Sequence, residues 1–204
     1  MSKKKQKSKV REYAETIIIA LAIALVVRTF VVQAFKIPSE SMKPTLLVGD
    51  HILVNKFIYG IRIPLIGKRV FPLSTPQRGD VIVFIFPQDR SKDFIKRVIG
   101  LPGDKVEIRG REIYINDRLI ADPWGVYVPE VFLGSKNYGP EMVPPHSLFV
   151  MGDNRNNSQD SRYWGYVPLD DVLGKAFIRY WSWDWQSPSL VSKVRWEQIG
   201  RRIR

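Results

Sequence analysis

Val81-Ile82-Val83-Phe84-Ile85-Phe86 is an unbroken apolar run, opened by the tight turn Arg78-Gly79-Asp80 and closed by Pro87. A globular helix needs roughly ten residues or more, and proline stops this run well short of that, so it reads as a strand buried on both faces. Phe94-Ile95-Lys96-Arg97-Val98-Ile99 follows as a second strand, punctuated by Gly100-Leu101-Pro102-Gly103-Asp104. Upstream, Ile52-Leu53-Val54 and Ile58 to Ile63 read as short strands between turns. Downstream, Val106-Glu107-Ile108, Arg109-Gly110 and Glu112-Ile113-Tyr114-Ile115 give a hairpin pattern with Asn116-Asp117 as the next turn. Leu148 to Met151 and Gly174 to Tyr180 are further strands, and residues 121–145, rich in Pro, Gly and aromatics, read as loops with irregular strands. Neither repeats nor heptads occur, and the body is expected to be all-β.

The one expected helix lies at the N-terminus. Thr16 to Phe35 is apolar apart from Arg28, Thr29 and Gln33. Its twenty residues would extend about 30 Å, enough for a transmembrane anchor. Val32-Gln33-Ala34 also resembles a signal-peptide cleavage site, but Arg28 interrupts the run and favours a retained anchor. The +12 formal charge is concentrated at the ends, with six basic residues in 1–11 and five in 193–204. Such a distribution suits a protein held against anionic lipid and argues against a nucleic-acid partner. By the positive-inside rule the N-terminus is cytoplasmic and the body lies on the outer face. Trp181, Trp183, Trp185 and Trp196, among basic residues, read either as an interfacial aromatic belt or as a satellite core.

Directly after the anchor comes Lys36-Ile37-Pro38-Ser39-Glu40-Ser41-Met42-Lys43-Pro44-Thr45-Leu46. On its own it could be a hinge. A catalytic serine requires a base, and Lys96 shares a strand face with apolar Phe94 and Val98, where desolvation would lower its pKa toward ~8. An edge-strand lysine that discourages aggregation is the plainer alternative. The chain has no cysteine and only His51 and His146. Asp50 is adjacent to His51 and so points to the opposite face of a strand, a poor arrangement for a Ser-His-Asp triad. A zinc site would need carboxylate help, and no metal or cofactor is expected.

Pro38 to Leu46 resembles the nucleophile motif of bacterial type I signal peptidases, the leader peptidases. Three more blocks resemble that family in the same order: Arg78-Gly79-Asp80-Val81, Phe94 to Asp104, and Gly152-Asp153-Asn154-Arg155-Asn156-Asn157-Ser158-Gln159-Asp160-Ser161-Arg162-Tyr163-Trp164-Gly165. The resemblance implies a membrane-anchored serine endopeptidase that removes signal peptides from secretory preproteins after small residues at −3 and −1. Ser41 would be the nucleophile and Lys96 the general base. The Ser41 N–H and Ser39 hydroxyl would form the oxyanion hole, and Ser158 would hydrogen-bond Lys96. Asp160 and Arg162 would pair, with Asp153 and Arg155 as further scaffold. Ile37, Met42, Leu46, Phe94 and Ile95 would line the substrate groove.

The implied architecture is mainly β: a basic tail (1–15), a single transmembrane helix (16–35), and a catalytic β domain (36–103 and 143–204) interrupted by a small β-rich insertion (104–142). Glu40 stands where the family often has glycine, and Asn156 where some members have aspartate. Strict alternation would turn Ile95 away from Lys96, so both can border a groove only if that strand is twisted or edge-on. A non-catalytic envelope scaffold would leave Ser41 and Lys96 apart. A self-cleaving Ser-Lys regulator would share the chemistry, but the chain shows no DNA-reading helix ahead of its body.

Overall fold

The computed structural model describes residues 9–62, 69–70, 73–128 and 137–204. Helix α1 (Lys9–Val26) continues through a π-helical stretch (Val27–Val31) directly into β1 (Val32–Lys36). The strands that follow are β2 (Asp50–Asn55), β3 (Ile61–Arg62), β4 (Arg69–Val70), β5 (Val81–Ile85), β6 (Asp93–Gly100), β7 (Lys105–Arg109) and β8 (Glu112–Ile115). They are succeeded by β9 (Arg118–Leu119), β10 (Tyr138–Met142), β11 (Ser147–Met151), the short helix α2 (Ser161–Trp164), β12 (Val167–Pro168), β13 (Val172–Ser182) and the short helix α3 (Leu190–Lys193).

The main sheet has seven strands in the order β1-β2-β13-β5-β6-β11-β12, paired antiparallel throughout, with β5 at its centre. That position explains the unbroken apolar run of β5. Val81 and Val83 pack into a cluster on one face with Ile37, Met42, Leu46 and Ile52. Ile82 and Phe84 pack on the other face with Val98, Leu148 and Val150. Each such burial contributes roughly 1.5–3 kcal/mol, so a central strand tolerates no polar alternation. A four-stranded sheet, β10-β7-β8-β9, is built wholly from residues 105–142. A third apolar cluster, containing Val106, Ile108, Ile113, Phe149 and Met151, joins this sheet to β11. Asn116 and Asp117 adopt positive φ of 52° and 65° in the β8–β9 turn, the conformation expected of a tight hairpin connection.

Two expectations need correction. Ile58-Tyr59-Gly60 is a turn with Gly60 at φ +97°, and only Ile61–Arg62 of that stretch is extended, Ile63 lying outside the described residues. The N-terminal helical run ends at Val31, and Val32 to Lys36 pair residue by residue with Asn55 to His51 of β2. Among the described residues no helix is long and apolar enough to cross a membrane. The reason is local: α1 carries Lys9, Arg11, Glu12 and Glu15 in its first turns, and the sheet takes the last apolar residues. None of the α1 side chains is buried, and Ile17, Ile18, Ile19, Leu21, Ile23 and Leu25 are all exposed. Near the end of β13 the indoles of Trp181, Trp183, Trp185 and Trp196 contact one another in a satellite cluster, and the Lys36 ammonium lies 5.2 Å from the Trp185 ring.

Candidate active site

The chain leaves β1 at Ile37 and returns at β2, and the loop between is closed by Ile37 N–H to Asp50 C=O (2.8 Å) and Gly49 N–H to Ile37 C=O (3.0 Å). Gly49 has φ +89°, and a Cβ there would run into the Trp183 carbonyl. Inside the loop Met42 and Leu46 are fully buried, joined by a Leu46 N–H to Met42 C=O bond of 2.8 Å. These two apolar anchors pin the turn that follows Ser41, and Ser41 lines a cleft of about 510 Å³.

Lys96 approaches from β6, opposite Ile82 of β5. Its Nζ lies 2.6 Å from Ser41 Oγ, and both residues are buried. Phe94, two residues earlier on the same strand face, places its ring centroid 5.7 Å from the ammonium. Burial drives the Lys96 pKa down from 10.5 to about 8; Asp160 and Asp153 oppose the shift by favouring the charge, and Arg162 adds to it. Ser39 Oγ stands 3.4 Å from Ser41 Oγ on the cleft wall.

Both Ile95 and Lys96 line the cleft, although they point to opposite faces of β6. The pairing pattern explains this. Strand β11 joins β6 only from Arg97 onward, at Arg97, Val98 and Gly100. Asp93 to Lys96 therefore pair with β5 on one side and, among the described residues, with no strand on the other. Seen edge-on, that half of the strand offers both faces to the cleft.

The loop after β11 completes the site, and here the expectations divide. Arg162 pairs with Asp160 at 2.7 and 2.8 Å, while Asp160 also accepts the Gly152 N–H at 3.0 Å and caps α2. Asp153 is gripped by Arg97 at 2.7 and 2.6 Å and by the Thr45 hydroxyl at 2.5 Å. Arg155 donates to Asp122 and, at 3.1 Å, to the Gly152 carbonyl. Ser158 lines the cleft, but its buried Oγ has no hydrogen-bond partner among the described residues. The expected bond from Ser158 to Lys96 is thus not made, because Nζ is turned to Ser41. The groove assignment is corrected as well. Phe94 and Ile95 line the cleft, whereas Ile37, Met42 and Leu46 lie beneath it in the core, each 2% exposed or less.

Arg97 was not anticipated. Beyond Asp153 it donates to the Gly79 carbonyl (2.7 Å) and to the Arg204 carbonyl (2.9 Å), and it lies 4.5 Å from the Trp124 ring. Its only sequence signal is adjacency to Lys96, which sends the two cations to opposite faces of one strand. Neither histidine lines the cleft. His51 packs edge-on against Tyr180, and Asp50 is engaged by Arg179 and the Ser182 hydroxyl, both at 2.6 Å. Among the described residues no three His, Asp or Glu side chains are grouped as a metal site requires.

The family model for signal peptidase, peptidase S26, matches residues 10–181. The chain belongs to the signal peptidase family. Signal peptidase I of Pseudomonas fluorescens is 40% identical over 223 residues, covering 93% of this chain and 78% of that protein. A probable signal peptidase I-2 of Synechocystis is 39% identical over 176 residues, covering 83% and 72%. The crystal structure of a signal peptidase I from Enterococcus faecalis aligns at 33% identity with a TM-score of 0.41, covering 50% of this chain and 97% of that one. In this member of the signal peptidase family the Glu40 carboxylate, on the cleft wall, is paired with Lys43 at 2.7 Å. Asn156 uses both ends of its amide to grip the backbone of Val128, at 2.8 Å to its N–H and 2.5 Å to its C=O.

Proposed function

We propose that this chain removes N-terminal signal peptides from exported preproteins, with Ser41 as nucleophile and Lys96 as general base. The observation that carries the reading is the 2.6 Å approach of Lys96 Nζ to Ser41 Oγ in a buried cleft. A lysine with a pKa of about 8 is partly neutral near physiological pH, and only the neutral amine can take the serine proton. A non-catalytic scaffold would have no reason to bring these two groups together.

In the mechanism, Oγ attacks the scissile carbonyl while its proton moves to Nζ. The oxyanion forms against the Ser41 N–H and the Ser39 hydroxyl. The Lys96 ammonium protonates the departing amine, and the mature protein leaves. Water then gives its proton to Lys96 and adds to the acyl-enzyme, and collapse of the second tetrahedral intermediate returns the proton to Ser41 and releases the signal peptide.

The unpaired edge of Asp93–Lys96 favours a substrate bound as an added strand, which turns alternate side chains, −1 and −3, toward the same wall. Phe94 and Ile95 on that wall leave room for small residues and exclude larger ones by clash. Ser158, with a free Oγ beside the dyad, is placed to receive the Lys96 ammonium once Ser41 is acylated.

The exposed apolar surface of α1 supports insertion in the cytoplasmic membrane, and the basic residues before it favour an N-terminus inside and a catalytic domain outside. Thr16 to Val31 would extend about 24 Å against a hydrocarbon core of about 30 Å, a mismatch met by local thinning and by Arg28 reaching for the surface. Because the chain lacks cysteine, a single Ser8→Cys or Arg118→Cys substitution gives a unique label site. In intact spheroplasts an impermeant maleimide should label Arg118→Cys only. Labelling of Ser8→Cys under the same conditions would overturn this topology. For the chemistry, Ser41→Ala and Lys96→Ala should each abolish precursor processing, with no further loss in the double variant. Processing by folded Ser41→Ala would overturn the reading.

A further inference from the structure

One residue holds the carbonyls on both sides of the Ser41 α-carbon. The Asn154 N–H donates to the Ser41 carbonyl at 3.0 Å, and its side-chain Nδ2 donates to the Glu40 carbonyl at 3.2 Å. We propose that Asn154 is a positioning residue for the oxyanion hole: its side-chain amide fixes the Glu40–Ser41 peptide plane and thereby aims the Ser41 N–H at the carbonyl under attack. The proposal rests on the reading of Ser41 as nucleophile.

The Glu40–Ser41 bond is trans, so its C=O and N–H point in opposite directions. Drawing the Glu40 oxygen toward Asn154 turns the Ser41 N–H away from it. Among the described residues that N–H has no hydrogen-bond acceptor, although Ser41 is 92% buried (8% exposed). A buried backbone donor left free beside a nucleophile is available for a charge that appears only during reaction.

Asn154 is itself held rigidly. Asp153 on one side is locked by Arg97, and Arg155 on the other by Asp122 and the Gly152 carbonyl. Val126 bridges the two, taking an N–H from Arg155 and giving one to Asp153, both at 2.8 Å. The arrangement is not what stability alone would select. Asn154 is 1% exposed, and its Oδ1 is buried with no donor among the described residues. An apolar side chain of the same size would remove that orphan acceptor and forfeit only the Nδ2 bond.

The test compares full-length wild type, Asn154→Leu, Asn154→Ala and Ser41→Ala in detergent, using a signal-peptide substrate and a peptide aldehyde. Ser41 adds to the aldehyde and leaves its oxygen where the oxyanion would form. Loss of donor alignment should lower kcat about tenfold to a hundredfold with KM within about twofold, and weaken aldehyde binding by a similar factor. Tm should equal or exceed that of wild type for Asn154→Leu, and the pH at which kcat/KM is half-maximal should stay in place, because no charge beside Lys96 has changed. Unchanged kcat and aldehyde affinity in either folded variant would overturn the proposal, as would a loss confined to KM or a displaced pH profile. Retained activity in Ser41→Ala would instead overturn the underlying assignment of the nucleophile.

Discussion

Arg97 and Asp153 form an ion pair at 2.6 Å with neither side chain exposed, one residue along the strand from the proposed base. The pair fixes β6 to the loop after β11, so it sets where Lys96 stands relative to Ser41. A buried pair of this kind is weak evidence for stability, yet removing one partner strands a charge. Asp153→Asn should therefore cost about 3–5 kcal/mol and lower activity with it. The double substitution Arg97→Met with Asp153→Leu should recover much of the stability without full activity, because the loop loses its directional tie. Chemical denaturation of wild type, Arg97→Met, Asp153→Leu and the double variant measures the coupling, and additive losses would show that the two residues act independently.

The depressed pKa of Lys96 fixes a pH dependence. Catalysis needs the neutral amine, so kcat/KM should rise with pH through a pKa of about 8. Stability is linked to the same group. The folded pKa lies below the unfolded value of 10.5, so the unfolded chain binds more protons between the two. Stability should then rise from about pH 8 to about 10.5, and below pH 8 the fold carries the full cost of a buried ammonium. Lys96→Met removes that cost and should gain up to about 3 kcal/mol at pH 7 while abolishing turnover. Thermal melts at pH 7 and pH 10 test the sign; a variant less stable than wild type at pH 7 would contradict it.

Local patterns made Val81–Ile85 readable, because a central strand must be apolar on both faces. The stretches carrying Ser41 and Lys96 stood out because each is a compact motif, and the fold brings their side chains to 2.6 Å. What failed depended on partners remote in sequence. Val32 to Phe35 continue the largely apolar run, and hydrophobicity alone does not separate a helix from a strand there; pairing with β2 decides it. Ile37, Met42 and Leu46 lie close to Ser41 in sequence, but the loop folds them inward, and only packing separates a core residue from a groove wall. Arg97 with Asp153 and Arg155 with Asp122 are ties 56 and 33 residues apart, beyond any periodicity.

Ser39 lies 3.4 Å from Ser41, oxygen to oxygen, on the cleft wall, close enough to donate to an oxyanion formed at the same carbonyl. Ser39→Ala should lower kcat about a hundredfold, the roughly 3 kcal/mol expected for one lost oxyanion donor, while KM and Tm stay near wild type. Ser39→Thr keeps the hydroxyl and should retain much of the activity. Steady-state kinetics on a signal-peptide substrate would expose the error if kcat in Ser39→Ala were unchanged.

The N-terminal helix should stay attached despite Val32-Gln33-Ala34, and the reason lies in the sheet. To be cut after Ala34, the chain would have to lie extended in the cleft with its backbone free to pair there. Instead Ala34 is paired with Leu53, and its neighbours from Val32 to Lys36 are paired along β2 in the same ladder. The closure continues through Ile37, whose N–H and C=O are both bonded to the Gly49–Asp50 turn. Only a short tether separates Ala34 from Ser41, so reaching Ser41 in cis would mean unzipping the whole of β1. Cleavage in trans by a second molecule would meet the same ladder. Intact-mass measurement of membrane-extracted protein should therefore give the full chain, and prolonged incubation at high enzyme concentration should not shorten it at this point. Weakening the ladder with Val54→Pro, which removes the β2 donor facing Gln33 and adds ring bulk, should make the site cleavable if pairing is the protection. Wild-type protein that begins at Phe35 would show that β1 opens far more readily than its pairing implies.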